Sequence, residues 1–169
     1  MNGLQELSLP PGVGLPAEIG KKKPFDIAEE EAFLNIARSY SILMNEMERF
    51  FKPSKLSFAT YNVLRILRSA QPDGKTCSQI GADMVARVPD VTRLIDRLEG
   101  ANLVTRNRQN EDRRIVRVRI TPSGLTLVNS LDGPIADFYR AKLGHLSKAQ
   151  IEMLNAMLYL TRHPEALQK

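Results

Sequence analysis

The chain has 169 residues, 43% of them hydrophobic, with a net charge of +5 and a pI near 9.5. That length allows one domain, or one domain with a dimerisation extension, and the basic balance suits a polyanionic partner. No apolar run reaches the ~18 residues needed to span a bilayer, no signal-peptide core opens the chain, and one cysteine excludes an internal disulfide, so a cytoplasmic protein without membrane association is expected.

The first 24 residues hold four of the ten prolines and four of the ten glycines, and end near Lys21-Lys22-Lys23. Residues 1–25 are read as an arm without stable structure of its own, its lysines a solvated tail in preference to a phosphate contact. A long helix is predicted from Asp26, with Asp26 and Glu29 at its cap. Phe33, Ile36, Ala37, Tyr40, Leu43, Met44, Met47, Phe50 and Phe51 form its apolar stripe, and Pro53 ends it. A second helix from Ser57 turns Phe58, Tyr61, Val63, Leu64, Ile66 and Leu67 mostly inward and stops before Pro72-Asp73-Gly74.

The next segment, residues 75–121, carries the functional signal. Thr76-Cys77-Ser78-Gln79 is a Thr-x-x-Gln capping box that opens a short helix through Met84. After a break at Arg87-Val88-Pro89, a further helix is predicted with Pro89 as its first residue, where a missing N–H costs nothing. It puts Val91, Leu94, Ile95 and Leu98 on one face and Asp90, Thr92, Arg93, Asp96 and Arg97 on the others, and Gly100 marks its end. Two β-like runs, Leu103–Arg108 and Ile115–Ile120, flank a polar turn from Gln109 to Arg114. This is a helix-turn-helix followed by a basic hairpin. A major groove about 12 Å wide admits one helix, and a basic hairpin tip beside it can reach the minor groove.

Between Arg87 and Arg119 there are nine arginines and no lysine, against five acidic residues. Arginine forms bidentate contacts to guanine or phosphate that lysine cannot. Arg93 and Arg114 are read as DNA contacts; Arg117 and Arg119 are equally well outward positions of a strand.

Thr121-Pro122 caps a helix through Leu125, Val128 and Leu131. Gly133-Pro134 should bend or interrupt it before Ile135, Phe138, Tyr139 and Leu143, and Ser147-x-x-Gln150 caps a last helix bearing Ile151, Leu154, Met157 and Leu158. The fold class is therefore mainly α with a small β-wing: a winged helix-turn-helix at 56–121 and helical dimerisation regions at 26–52 and 122–165, together a single domain over 26–165.

From residue 26 to residue 162 this order resembles the MarR family of bacterial transcription regulators. The resemblance is carried by Asp90-Val91-Thr92-Arg93-Leu94-Ile95-Asp96-Arg97-Leu98-Glu99, by Leu103-Val104-x-Arg106, by Asp112-Arg113-Arg114 and by Ile120-Thr121-Pro122-x-Gly124, with Leu56-Ser57 and Tyr61-x-Val63-Leu64 before them. It implies a homodimer on a pseudo-palindromic double-stranded DNA operator, acting as a repressor. Pro89, Asp90, Thr92, Arg93 and Arg97 would lie against the groove. Asp112 would orient Arg114 into the minor groove, with Arg113 beside them. One departure stands out: Pro89-Asp90 replaces the small hydroxyl residues of many relatives, and an aspartate facing DNA accepts from a cytosine amino group or repels phosphate. The resemblance also implies release by a small effector, here a small aromatic molecule, with Tyr40, Met44, Met47 and Phe50 as candidate wall residues. The preferred reading of that stripe is core or dimer interface.

No enzyme reading survives. Gly74-Lys75-Thr76 looks like the end of a phosphate-binding loop, but Ser69 stands where its first glycine is required and the segment follows a helix. Two histidines and one cysteine make no His/Cys metal site or triad, and no cofactor is expected. Cys77 is preferred as a small buried filler over a redox sensor. The competing function is an architectural DNA-binding protein or a winged-helix protein-contact module.

Overall fold

A computed structural model describes residues 10, 12–108 and 116–167. Its contacts divide the chain into two units, Met1–Phe58 and Ala59–Lys169. In the first, α1 (Leu15–Glu18) is a single helical turn inside the stretch expected to lack structure of its own. It leans on α2 (Ala28–Phe51): Leu15 is buried and Glu18 accepts a 2.5 Å hydrogen bond from Arg38. The turn exists because a neighbour covers its leucine.

The cap of α2 differs from the expectation. Ile27 holds the N-cap position with no side-chain bond, so neither Asp26 nor Glu29 caps the helix. Glu29, Glu30 and Glu31 in the first turn instead offset the partial positive charge of the helix end. Of 24 residues only Met47 and Phe51 are buried, while Phe33, Ile36, Tyr40, Ile42 and Leu43 are exposed.

The second unit contains most of α3 (Phe58–Ser69), then α4 (Cys77–Asp83) and α5 (Val91–Gly100). The hairpin β1 (Val104–Arg108) and β2 (Val116–Ile120) follows, then α6 (Pro122–Ser130), α7 (Asp132–Leu143) and α8 (Lys148–Arg162). Tyr61, Val63, Leu64, Leu67, Ile80, Ile95, Leu98, Val104, Val118, Val128 and Ile135 are its buried core. β1 and β2 pair antiparallel with Val104 opposite Ile120 and Arg106 opposite Val118. Lys75 adds a bridge to Val118, its N–H donating to the Val118 carbonyl at 3.0 Å, so the hairpin is stitched to the loop before α4.

That stitch explains Gly74. It sits at φ +69, and a Cβ there would come within 2.3 Å of the Val118 carbonyl oxygen. Both capping boxes form as expected, Thr76 with Gln79 and Ser147 with Gln150, and Thr121 accepts from the Gly124 N–H. The break between α6 and α7 falls at Leu131, two residues before Gly133. Pro134 lies in the first turn of α7, where its missing N–H is harmless.

Arg68 of α3 braces this junction. Its guanidinium donates to Asn129 Oδ1 at 2.8 Å and to both oxygens of Asp132, at 2.8 and 3.1 Å. These hydrogen bonds hold the Asp132 carboxyl below its ordinary range. A carboxylate whose pKa is lowered by folding stabilises the native state above its unfolded value, about 4, and loses that contribution as pH falls through the lowered value. Wild type should therefore melt roughly 2–4 °C above Asp132→Asn near neutrality, the gap closing in strong acid. A gap that is constant from pH 7 to pH 2 in thermal melts contradicts the assignment.

Candidate nucleic-acid interface

α5 is amphipathic in the way a groove-binding helix must be. Ile95 and Leu98 are buried, Val91 and Leu94 half-buried, and Thr92, Arg93, Asp96 and Arg97 exposed. At 3.6 residues per turn Arg93 and Arg97 lie on one exposed stripe, opposite the apolar side. Among the described residues neither guanidinium has a hydrogen-bond partner.

The start of α5 corrects the expectation. Pro89 is not its first residue; Asp90 is the N-cap, its carboxylate accepting from the Arg93 N–H at 3.0 Å. Aspartate is a strong cap and valine a poor one, by about 1 kcal/mol, so the helix begins after Asp90 and Pro89 stays outside it. The carboxylate is thereby occupied with the helix end, which accounts for an acid at the entrance to a helix that exposes arginines. Upstream, the buried Asn62 of α3 accepts from the Val85 N–H at 2.9 Å and pins the turn between α4 and α5.

The described arginines of this segment divide into two sets. Arg106 is tied to Asp96 and Glu99 of α5. Arg117 donates to the Gly74 carbonyl at 3.1 Å and Arg119 to the Asp73 carbonyl at 3.3 Å. These last two therefore fasten β2 to the α3–α4 loop. Such long-range pairings leave no local trace in a sequence. Asp112, Arg113 and Arg114 lie outside the described residues.

Tyr40 is 60% exposed, Met44 and Phe50 are half-buried and Met47 is buried. An open cleft of about 370 Å³ lies elsewhere, lined by Asn62, Arg65, Ile66, Ser69, Lys75, Asp83 and Val85, with Lys75 paired to Asp83 at 2.8 Å. Cys77, in the first turn of α4, is half-buried instead of buried. Among the described residues no helix is long and apolar enough to cross a membrane.

Two helices joined by a pinned turn, with a hairpin fastened to both, define a winged helix-turn-helix DNA-binding protein. The model of the MarR family matches residues 56–116. A MarR transcription factor from Planctomyces limnophilus is 40% identical in sequence, over 81% of this chain and 99% of that one, with a TM-score of 0.62. The HTH-type transcriptional repressor IacR of Pseudomonas putida is 27% identical over 135 residues, 80% of each chain. The S. aureus MepR–DNA complex shares the fold, with a TM-score of 0.69 at 21% identity, over 79% of this chain and 96% of that one. The chain belongs to the MarR family and is a winged helix-turn-helix transcription regulator.

Proposed function

We propose that the protein is a homodimeric repressor whose two α5 helices enter successive major grooves of a pseudo-palindromic operator. The observation that carries this reading is the exposed stripe of Arg93 and Arg97 on a helix whose opposite side is buried. Thr92 lies on the adjoining flank at the start of the helix, and Asp90 serves by capping it. Arg114, oriented by Asp112 and flanked by Arg113, supplies the minor-groove contact. The fold shared with the DNA-bound MepR structure and the sequence similarity to the repressor IacR support the same reading.

Dimerisation follows from surface. Phe33, Ile36 and Tyr40 of α2 are exposed, as are Met153, Leu154, Met157 and Tyr159 of α8, and apolar helix faces of this kind are covered by partners. A second copy also places two α5 helices about 34–36 Å apart, one turn of DNA. A small aromatic effector bound against Tyr40, Met44, Met47 and Phe50 in the dimer would release the operator. The protein works in the cytoplasm, with residues 1–25 an extension of the domain at 26–165.

Selection of bound fragments from the source genome by the purified protein tests this directly. The expected outcome is a short two-fold-related sequence bound by a dimer about 10³-fold or more above scrambled DNA. A monomer in sedimentation equilibrium at micromolar concentration, or equal affinity for all DNA, overturns it. The second of these results identifies an architectural protein.

A further inference from the structure

Arg106 stands in the middle of β1 and grips one flank of α5 over two turns. Its Nη1 donates to Glu99 Oε2 at 2.5 Å, and its Nη2 to Asp96 Oδ1 at 2.6 Å and to the Thr92 carbonyl at 3.4 Å. Its own backbone N–H donates to the second oxygen of Glu99 at 3.0 Å. Thr92, Asp96 and Glu99 are spaced four and then three residues apart, so they fall within about 60° of one another around the helix. They lie about 90° round from Arg93, on the side away from Arg97. The clamp thus touches neither the buried face of α5 nor its exposed arginine stripe.

We infer that Arg106 is a positioning residue that sets the roll of α5 relative to the wing, and so decides whether the operator is read. This deepens the DNA-binding reading above and rests on it. The buried residues Ile95 and Leu98 hold the helix down, but apolar contacts are non-directional and resist rotation about the helix axis poorly. A planar guanidinium bonded at three points along one flank resists it well. The scale is sufficient: a roll of about 20° moves a side-chain tip ~6 Å from the axis by about 2 Å, enough to break a bidentate hydrogen bond. Non-specific binding is set by the number of phosphates neutralised and tolerates the same roll. The clamp therefore acts on specificity and leaves the general attraction to DNA intact.

The test uses the full chain with Arg106→Lys, which keeps the charge but loses the fork, and Asp96→Asn, a milder variant should the first fail to fold. Affinity is measured on the operator selected by wild type and on a scrambled duplex of equal length, across a salt series. Arg106→Lys should lower the operator-to-scrambled ratio by about tenfold or more, the scale of a lost bidentate base contact, with the scrambled affinity and the salt slope unchanged. In the free protein, amide hydrogen exchange should speed up by about tenfold in α5 while α3 is unaffected. An unchanged ratio in a folded variant overturns the inference, as does an equal loss on both duplexes, which would make Arg106 a phosphate contact. If wild type itself shows no preference, the regulator reading fails, and unchanged exchange in α5 would separately exclude the clamp.

Discussion

Arg93→Ala should abolish most operator binding while leaving the protein folded. A bidentate arginine–base contact is worth about 1–3 kcal/mol, and the proposed symmetric dimer would lose it twice, so the expected cost is about 2–6 kcal/mol in total. Folding should survive because the Arg93 backbone N–H, not its side chain, receives the Asp90 cap, and among the described residues the guanidinium bonds nothing else. Titration against operators substituted one base at a time distinguishes the two roles open to it. A relaxed preference at one position in each half-site identifies a base contact; uniform weakening identifies a phosphate anchor. Unchanged affinity on the parent operator removes Arg93 from the interface.

Gly124→Ala should be among the most damaging single-methyl changes in the winged unit. A Cβ at Gly124 would stand 2.1 Å from the Leu103 carbonyl oxygen and 2.9 Å from Ile120 Cγ1. The carbonyl is backbone and cannot swing aside, since it also accepts from the Thr121 N–H at 3.0 Å as β1 begins. Relief requires moving α6 away from the start of the hairpin, which would strain the Thr121 cap on the Gly124 N–H. Overpacking of this kind costs roughly 1–3 kcal/mol or more, and the lost cap adds about 1 kcal/mol. Chemical denaturation should show the midpoint falling accordingly. A loss below about 0.5 kcal/mol would contradict a close backbone contact between α6 and the start of the hairpin.

The local devices of this chain were legible in its residues because each is complete within four or five positions. Thr76 with Gln79, Ser147 with Gln150, and Thr121 with Pro122 all cap the helices they announce. Apolar spacing likewise placed the buried side of α5, since the same period of 3.6 governs pattern and structure. Where two local signals compete within two residues, reading is less secure. Pro89 and Asp90 both suit a helix start, and the difference in capping energy selected Asp90. At α2 the acidic residues suggested a cap, yet the helix starts from Ile27 with its glutamates one turn inside.

The sequence by itself determined the class of protein, its order of helices and wing, and the exposed stripe of α5, because periodicity and capping are local and energetically decisive. Only the tertiary structure decided which charges are free. Arg106 is spent on Asp96 and Glu99, ten and seven residues away, and Arg117 and Arg119 on carbonyls 43 and 46 residues away. Arg68 finds Asp132 across 64 residues, and Leu15 is buried in a turn that packs against α2. A guanidinium carries the same charge whether it meets a phosphate or a neighbouring helix, and the distance to its partner exists only once the chain has folded.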